Sequence, residues 1–279
     1  MMASQITRMA DGRLHCHHGP IDLIVTAEGK GAAQAEVQAA RRFATILAEL
    51  SAELPALRSP DPQPLHSPVA QAMAGATAPF RPAFITPMAA VAGAVADAVL
   101  AAMTRGTDLT RAIVNNGGDI AFHLAPGAQT TAAIARPCGM ADRVTIRACD
   151  PARGLATSGW WGRSQSLGIA DAVTVLAATA AMADAAATMI ANAVDLPDHP
   201  AITRHPATQI KADSDLGPRL VTTAVAQLSP AEACEALARG AALARNLQAR
   251  GLIAGAALFL QAESLTLGLP TQHREPVLA

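Results

Sequence analysis

Residues 88–103 consist almost entirely of Ala, Val, Leu and Gly, and Asp97 is the only charge among them. Pro87 suits the first turn of a helix, where its missing N–H is not needed. The segment therefore predicts a helix that is apolar on every side, and such a helix has to be buried nearly all round. At 279 residues the chain can supply the interior this requires, as one large domain or two modest ones. Hydrophobic residues at 51% against charged residues at 15% argue against disorder. Aromatic residues are only 3% and tyrosine is absent, so the core has to be packed closely from small side chains. Small-residue helices of this kind also suit packing across a subunit interface, so a homo-oligomer is compatible with the composition.

Along the chain, residues 12–27 alternate around Ile21, Leu23 and Val25 and predict a strand pair turning near His18-Gly19-Pro20. The turn signal Glu28-Gly29-Lys30-Gly31 follows, and residues 32–54 then carry apolar positions at helical spacing, including Val37, Phe43, Leu47 and Leu50. Pro55, Pro60, Pro62, Pro64 and Pro68 break regular structure and predict a linker or extended surface crossing over 55–68, with a short helix at 69–78. Residues 112–115 and 120–124 read as strands joined at Asn116-Gly117-Gly118-Asp119. Further strands are expected at 130–135, 144–147 and 171–176, a loop at Thr157-Ser158-Gly159, and a helix at 181–193. Ser229, Pro230 and Glu232 have the N-cap, first-turn and capping-box identities of a helix start. A last strand is expected at 253–260, with the final residues frayed. The expected class is α+β. A single domain over 1–279 is expected, because the N-terminal strand pair needs a sheet to join.

Several function classes are disfavoured. The formal net charge is -1, with arginines scattered singly, so no nucleic-acid partner is expected. Residues 168–194 are apolar enough to raise the question of a membrane span. Asp171 and Asp184 interrupt them, however, and a charge near a span's centre costs roughly 2.5 to 3.5 kcal/mol, so a buried strand and helix are expected. Arg8, Asp11 and Arg13 break the N-terminal stretch and leave no apolar secretory run, which points to the cytoplasm. Cys16, Cys138, Cys149 and Cys234 form no CxxC pair and are expected as free thiols.

Asp184 and Thr188 lie four residues apart on the expected helix, hence on one face, and Asn192 extends that face. A carboxylate and a hydroxyl so placed suit a hard cation that completes its shell with water or phosphate oxygens. The alternative is a capping carboxylate and a hydroxyl bonded back to its own helix. The Asn116-Gly117-Gly118-Asp119 turn either brings backbone amides close to a ligand or is a plain hairpin. Thr157, Ser158 and Gly159 offer hydroxyls and open backbone for phosphate or ring-edge hydrogen bonds, or are ordinary loop residues. Trp160 and Trp161 follow directly. One of them could stack on a flat ligand, because neighbours in extended chain face opposite ways. His15 and His17 share a strand face without a second ligand pair in the sequence, and a solvated strand is expected there.

Taken in order, the segment 87–97 (PMAAVAGAVAD), then Val114-Asn115-Asn116-Gly117-Gly118-Asp119-Ile120, Ala156-Thr157-Ser158-Gly159, Val173-Thr174-Val175 and the segment 183–188 (ADAAAT) resemble the ApbE family of FAD:protein FMN transferases. The likeness is greater to the uncharacterised bacterial and archaeal relatives of that family, and it spans roughly 87–194. The resemblance implies mixed sheets packed with Ala-rich helices. It also implies a flavin ligand, FAD or FMN, and a magnesium ion held by Asp184 and Thr188 with a backbone carbonyl near Val91. Active members generally carry a lysine in the first of these motifs, and Ala92 stands near that place. They also carry a His-Ile-x-Asp-Pro-like stretch, replaced here by Ser164-Gln165-Ser166-Leu167-Gly168-Ile169-Ala170-Asp171 without histidine. Asp171 is then the candidate general base, with capping of the strand end as its other role. Three functions follow from this resemblance: a metal-dependent transferase or hydrolase, a non-catalytic binding or assembly protein, or an enzyme of another cofactor or ring-metabolism pathway on the same scaffold.

Overall fold

The structure is a computed structural model and describes residues 4–134, 142–162 and 164–269. The chain opens with three strands, β1 (Gln5–Arg8), β2 (Leu14–His18) and β3 (Ile21–Glu28), and the expected strand pair is the β2–β3 hairpin. Buried and half-exposed residues alternate along β3, as they must in a sheet with one covered face. Helix α1 (Ala32–Ala52) buries Ala35, Ala39, Phe43, Ile46 and Leu50. Val37, taken from the sequence as part of that stripe, is 50% exposed, because the small residues Ala35 and Ala39 set the helical phase instead.

The proline-rich stretch holds one piece of regular structure against expectation, the single turn α2 (Leu54–Leu57) with Pro55 in its first turn, where a proline costs no hydrogen bond. The Glu53 carboxylate accepts from the amides of His66 (2.6 Å) and Ser67 (2.8 Å) and so ties the two ends of the crossing together. Ser67 then caps α3 (Pro68–Thr77). Pro87 opens a 3-10 turn, Pro87–Ala90, and α4 (Val91–Met103) continues from it. Ala101 is the one exposed residue of α4, which packs on α1, α3 and the next two strands.

Those strands are β4 (Arg111–Asn116) and β5 (Asp119–Leu124), followed by β6 (Gln129–Ile134), β7 (Asp142–Arg147), β8 (Gly154–Ser158) and β9 (Ala172–Ala177). Thr157 and Ser158 thus end a strand, where a loop was expected. The residues of the 130–135 expectation beyond Ile134, and Cys138, lie outside the described residues. Then come α5 (Ala180–Ala193), β10 (Ile202–Pro206), α6 (Ala207–Ile210), β11 (Leu220–Val225), α7 (Pro230–Ala249), β12 (Gly255–Leu260) and β13 (Glu263–Leu267). Ser229 and Glu232 form the expected capping box on α7. Strand β13 corrects the expectation that the strand ending at Leu260 is the last one; residues 270–279, which include the end expected to fray, lie outside the described ones.

The chain divides into two compact units. The first comprises Met1–Thr130, Ile146–Ala156 and Ala177–Ala185, and its strands follow the order β1-β2-β3-β4-β5-β8, antiparallel from β1 through β8. Helices α1, α3 and α4 belong to it. The second comprises Thr131–Thr145, Thr157–Leu176 and Ala186–Ala279. Its sheet runs β9-β12-β13, antiparallel, with α7 packed on β12 and β13, and β10 pairs with β11 as a separate ribbon. Every residue of β9 and β12 is buried, the mark of strands covered on both faces. The class is α+β, as expected. Among the described residues no helix is long and apolar enough to cross a membrane, and Cys16, Cys149 and Cys234 are free thiols.

Candidate functional site

In the first unit the N-termini of α4 and α5 cap each other. The residue before α4 is Ala90, whose side chain caps nothing. Instead the Asp184 carboxylate, from α5, accepts from the Gly93 amide at 3.1 Å. In return Asp97, from α4, accepts from the Ala180 amide (3.0 Å) and the Ala181 amide (2.9 Å). Each helix start presents unpaired N–H groups and a partial positive charge, which a carboxylate satisfies. The approach is close because residue 93 is glycine: a Cβ there would lie 2.2 Å from the Ala180 carbonyl oxygen.

The hairpin between β4 and β5 reaches the same place. Asn116 and Asp119 face each other across it, with Gly117 (φ 66°) and Gly118 (φ 113°) making the turn. The Gly118 amide donates to Asn115 Oδ1 (2.8 Å), and Asn116 Nδ2 donates to the Ala92 carbonyl (3.1 Å), which fastens the turn to the first turn of α4. Two carboxylates, Asp119 and Asp97, therefore act on Asp184. Burial raises Asp97 above the ordinary carboxylate range, against the amides of Ala181 and Ala180. Burial first, and the Asp119 charge second, raise Asp184 well above that range; the amides of Gly93 and Ala92 oppose the shift, and Asp97 adds to it.

Thr188 follows Asp184 by one turn of α5, so the two expected cation ligands share a helix face. Among the described residues no three His, Cys, Asp or Glu side chains are arranged to hold a metal. A cation there would take one carboxylate, one hydroxyl and oxygens of water or phosphate, a donor set that suits magnesium. Asn192 does not extend this set. Its Oδ1 accepts from the Leu167 amide (2.9 Å) and Ser166 Oγ (3.2 Å), anchoring the segment that replaces the histidine stretch.

In the second unit the Thr157 and Thr174 hydroxyls pair at 2.8 Å, and a Cβ on Gly159 would lie 2.3 Å from the Asp171 carbonyl oxygen. The tryptophans depart from the expected geometry. Because they lie in a turn after β8 rather than in extended chain, their rings face the same side, 4.2 Å apart and tilted by 34°. Both indole N–H groups donate to Asp171 Oδ1, at 3.1 Å from Trp160 and 2.8 Å from Trp161. Asp171 Oδ2 accepts from the Gln261 amide. These are the contacts of an anchor at the start of β9. Back in the first unit, Asp22 lies across the strand pair from His15 (2.9 Å) and His17 (3.4 Å), all three partly exposed.

A family model described as AbpE bacteria matches residues 6–268. The chain belongs to this family. Two sequence relatives fit alongside the AbpE match: a UPF0280 protein of Methanopyrus kandleri, 41% identical over 125 residues, which are 44% of this chain and 48% of that protein, and a UPF0280 protein of Methanococcoides burtonii, 38% identical over 117 residues, 40% and 47% of the two chains. The AbpE-family chain thus spans about half the length of these curated relatives. The crystal structure of apo flavinyl transferase ApbE from Pseudomonas stutzeri resembles it with a TM-score of 0.53 over 95% of each chain, at 13% identity. At that identity the likeness is one of fold.

Two residues of these arrangements, one in each unit, were given no role from the sequence. Asp97 had a signal, since a lone carboxylate in an otherwise apolar helix has to be satisfied by donors. Gln261 had none, because its backbone amide makes the contact.

Proposed function

We propose that this AbpE-family chain binds a flavin, or a similar phosphorylated heteroaromatic compound, together with magnesium held by Asp184 and Thr188. The observation that carries the reading is the setting of Asp184. Its carboxylate lies against the first turn of α4 with the Asp119 charge acting on it, where burial makes an uncompensated negative charge costly. A hard divalent cation offsets that cost with the oxygen donors present. When bound, such an ion polarises a pyrophosphate and stabilises charge developing on it. The chain's own residues supply the rest of the reading. Gly117 and Gly118, between Asn116 and Asp119, leave backbone open to close approach, and Thr157, Ser158 and Gly159 offer hydroxyls and amides to phosphate or ring edges. The fold shared with a protein named flavinyl transferase supports a flavin as the ligand.

A second reading, binding without turnover, is favoured by a specific observation. Both Asp171 oxygens are engaged by donors, Ala92 stands near the place where active relatives carry a lysine, and residues 164–171 contain no histidine. Loss of a positioned acid or base lowers a rate by about 100- to 10,000-fold.

Isothermal titration of FAD with and without magnesium, into wild type, Asp184→Ala and Thr188→Val, tests the binding reading. Magnesium-dependent binding lost in both variants is the expected result; no binding by wild type in either condition overturns it. Product analysis of the bound FAD then separates the two readings, since cleavage in the magnesium complex supports the enzyme.

A further inference from the structure

Trp161 is 67% exposed, unusual for a side chain whose burial stabilises a fold as much as an indole's does. It is nevertheless firmly held. One face rests against Trp160, and its N–H is bonded to Asp171 Oδ1, so the polar edge of the ring is satisfied inside the protein. Asp171 is fixed in turn by the Gln261 amide. Gln261 is anchored through its side chain as well: Nε2 donates to the Ala226 carbonyl (2.9 Å), while Oε1 accepts from the Leu228 amide and from Gln227 Nε2, both at 3.0 Å. Gln261 holds a left-handed backbone (φ 52°), uncommon for a residue with a Cβ. The turn after β8, the start of β9, the β12–β13 turn and the segment before α7 thus converge to hold two indoles in one orientation on an open surface.

Immobilising a ring costs conformational entropy, and doing so in advance lowers the cost of binding a flat partner. With both N–H groups already used, the open surface of Trp161 offers stacking rather than hydrogen bonds. An indole face is electron-rich, and its complement is a planar, electron-poor ring.

We infer that Trp160 and Trp161 form a stacking platform for the planar ring of a flavin-type heteroaromatic ligand, with Asp171 as the positioning residue that holds both indoles. The inference rests on the flavin reading above and assigns that ligand's ring a place among the residues of the second unit, directly after Thr157-Ser158-Gly159.

The chain has two tryptophans and no tyrosine, so its intrinsic fluorescence reports on this pair. FMN is titrated into wild type, Trp161→Ala, Trp161→Phe, Asp171→Ala and Asp171→Asn, following tryptophan quenching and, independently, heat of binding, with circular dichroism to confirm folding. Saturable quenching is expected in wild type. Trp161→Ala should lose about tenfold in FMN affinity, the scale of one ring stacked on an aromatic side chain, and Trp161→Phe should recover most of it. Asp171→Ala should weaken FMN as Trp161→Ala does. Asp171→Asn keeps one oxygen for the two indole N–H groups but turns an N–H donor towards the Gln261 amide, so its FMN affinity should fall between those of wild type and Asp171→Ala. Undiminished FMN affinity in a folded Trp161→Ala overturns the platform and leaves the flavin reading standing; absence of FMN and FAD binding by wild type overturns both.

Discussion

Glycine at position 93 and the carboxylates at 97 and 184 are one device: the two helix starts come close enough to exchange caps only where no Cβ intervenes. A Gly93→Ala substitution would drive a methyl to within 2.2 Å of a backbone oxygen of α5. Backbone at a capped helix start cannot yield cheaply, so a loss of about 3 kcal/mol is expected, at the upper end of the usual overpacking cost. Gly75 is the control. It lies in α3 with no neighbouring atom within 4 Å of where a Cβ would stand, and Gly75→Ala should stabilise by about 0.5 to 1 kcal/mol through helix propensity. Urea midpoints of the two variants, moving in opposite directions from wild type, check the argument. The sequence made Asp184 a candidate because its spacing from Thr188 is local. The distant halves of the device, Gly93 against Ala180 and Asp97 against the α5 amides, were hidden because no local pattern states which helix start abuts which.

Among elements, those specified by local chemistry were legible and those specified by their neighbours were not. The β2–β3 and β4–β5 hairpins and the start of α7 follow from turn and cap residues that act within a few positions. Strands β1, β8, β10, β11 and β13 carry weak or absent alternation, so they were missed or shortened, and β8 in addition finds its partner β5 across two intervening strands. The phase of α1 was misjudged through Val37 because alanines bury as well as larger residues in a core this poor in aromatics. The tryptophan pair was misjudged because a turn was taken for extended chain. The α7 start yields a prediction in its own right. Ser229 Oγ accepts from the Glu232 amide, and the Glu232 carboxylate accepts from Ser229. The Ser229 backbone, then its side chain, then His199 hold Glu232 down to about 2. A carboxylate lowered in the fold contributes stability above its unfolded value of 4.5 and loses it as pH falls towards about 2. Amide exchange in the first turn of α7 should therefore accelerate over that window in wild type and show no such step in Glu232→Gln. Ser229→Ala should cost about 1 kcal/mol at neutral pH.

For the molecule as a whole, the proposed cation site at Asp184 would link stability to pH and magnesium in a way that a purely structural cap does not. Asp184 is raised in the fold, so the folded state binds its proton more tightly than the unfolded chain does. Its contribution is fully present below the ordinary value of 3.8 and is lost as pH rises through the raised value, the opposite sign to Glu232. At neutral pH an ion that compensates the carboxylate should restore what ionisation removes. Ligand present at 100 times its dissociation constant adds about 2.7 kcal/mol, which for a chain of this size corresponds to about 5 to 10 °C in Tm. Magnesium should accordingly raise Tm at pH 8 by several degrees and have little effect at pH 4, where the proton competes. Asp184→Asn carries no charge to compensate. Its Tm should be insensitive to magnesium at both pH values, while Asp97, also raised by burial but bonded to two amides of α5, should leave the magnesium effect in place when changed to Asn. Calorimetric scans of the three proteins at the two pH values decide the point: a magnesium shift that survives in Asp184→Asn would place the cation elsewhere, and a shift absent from wild type would make the reciprocal caps the whole role of the pair.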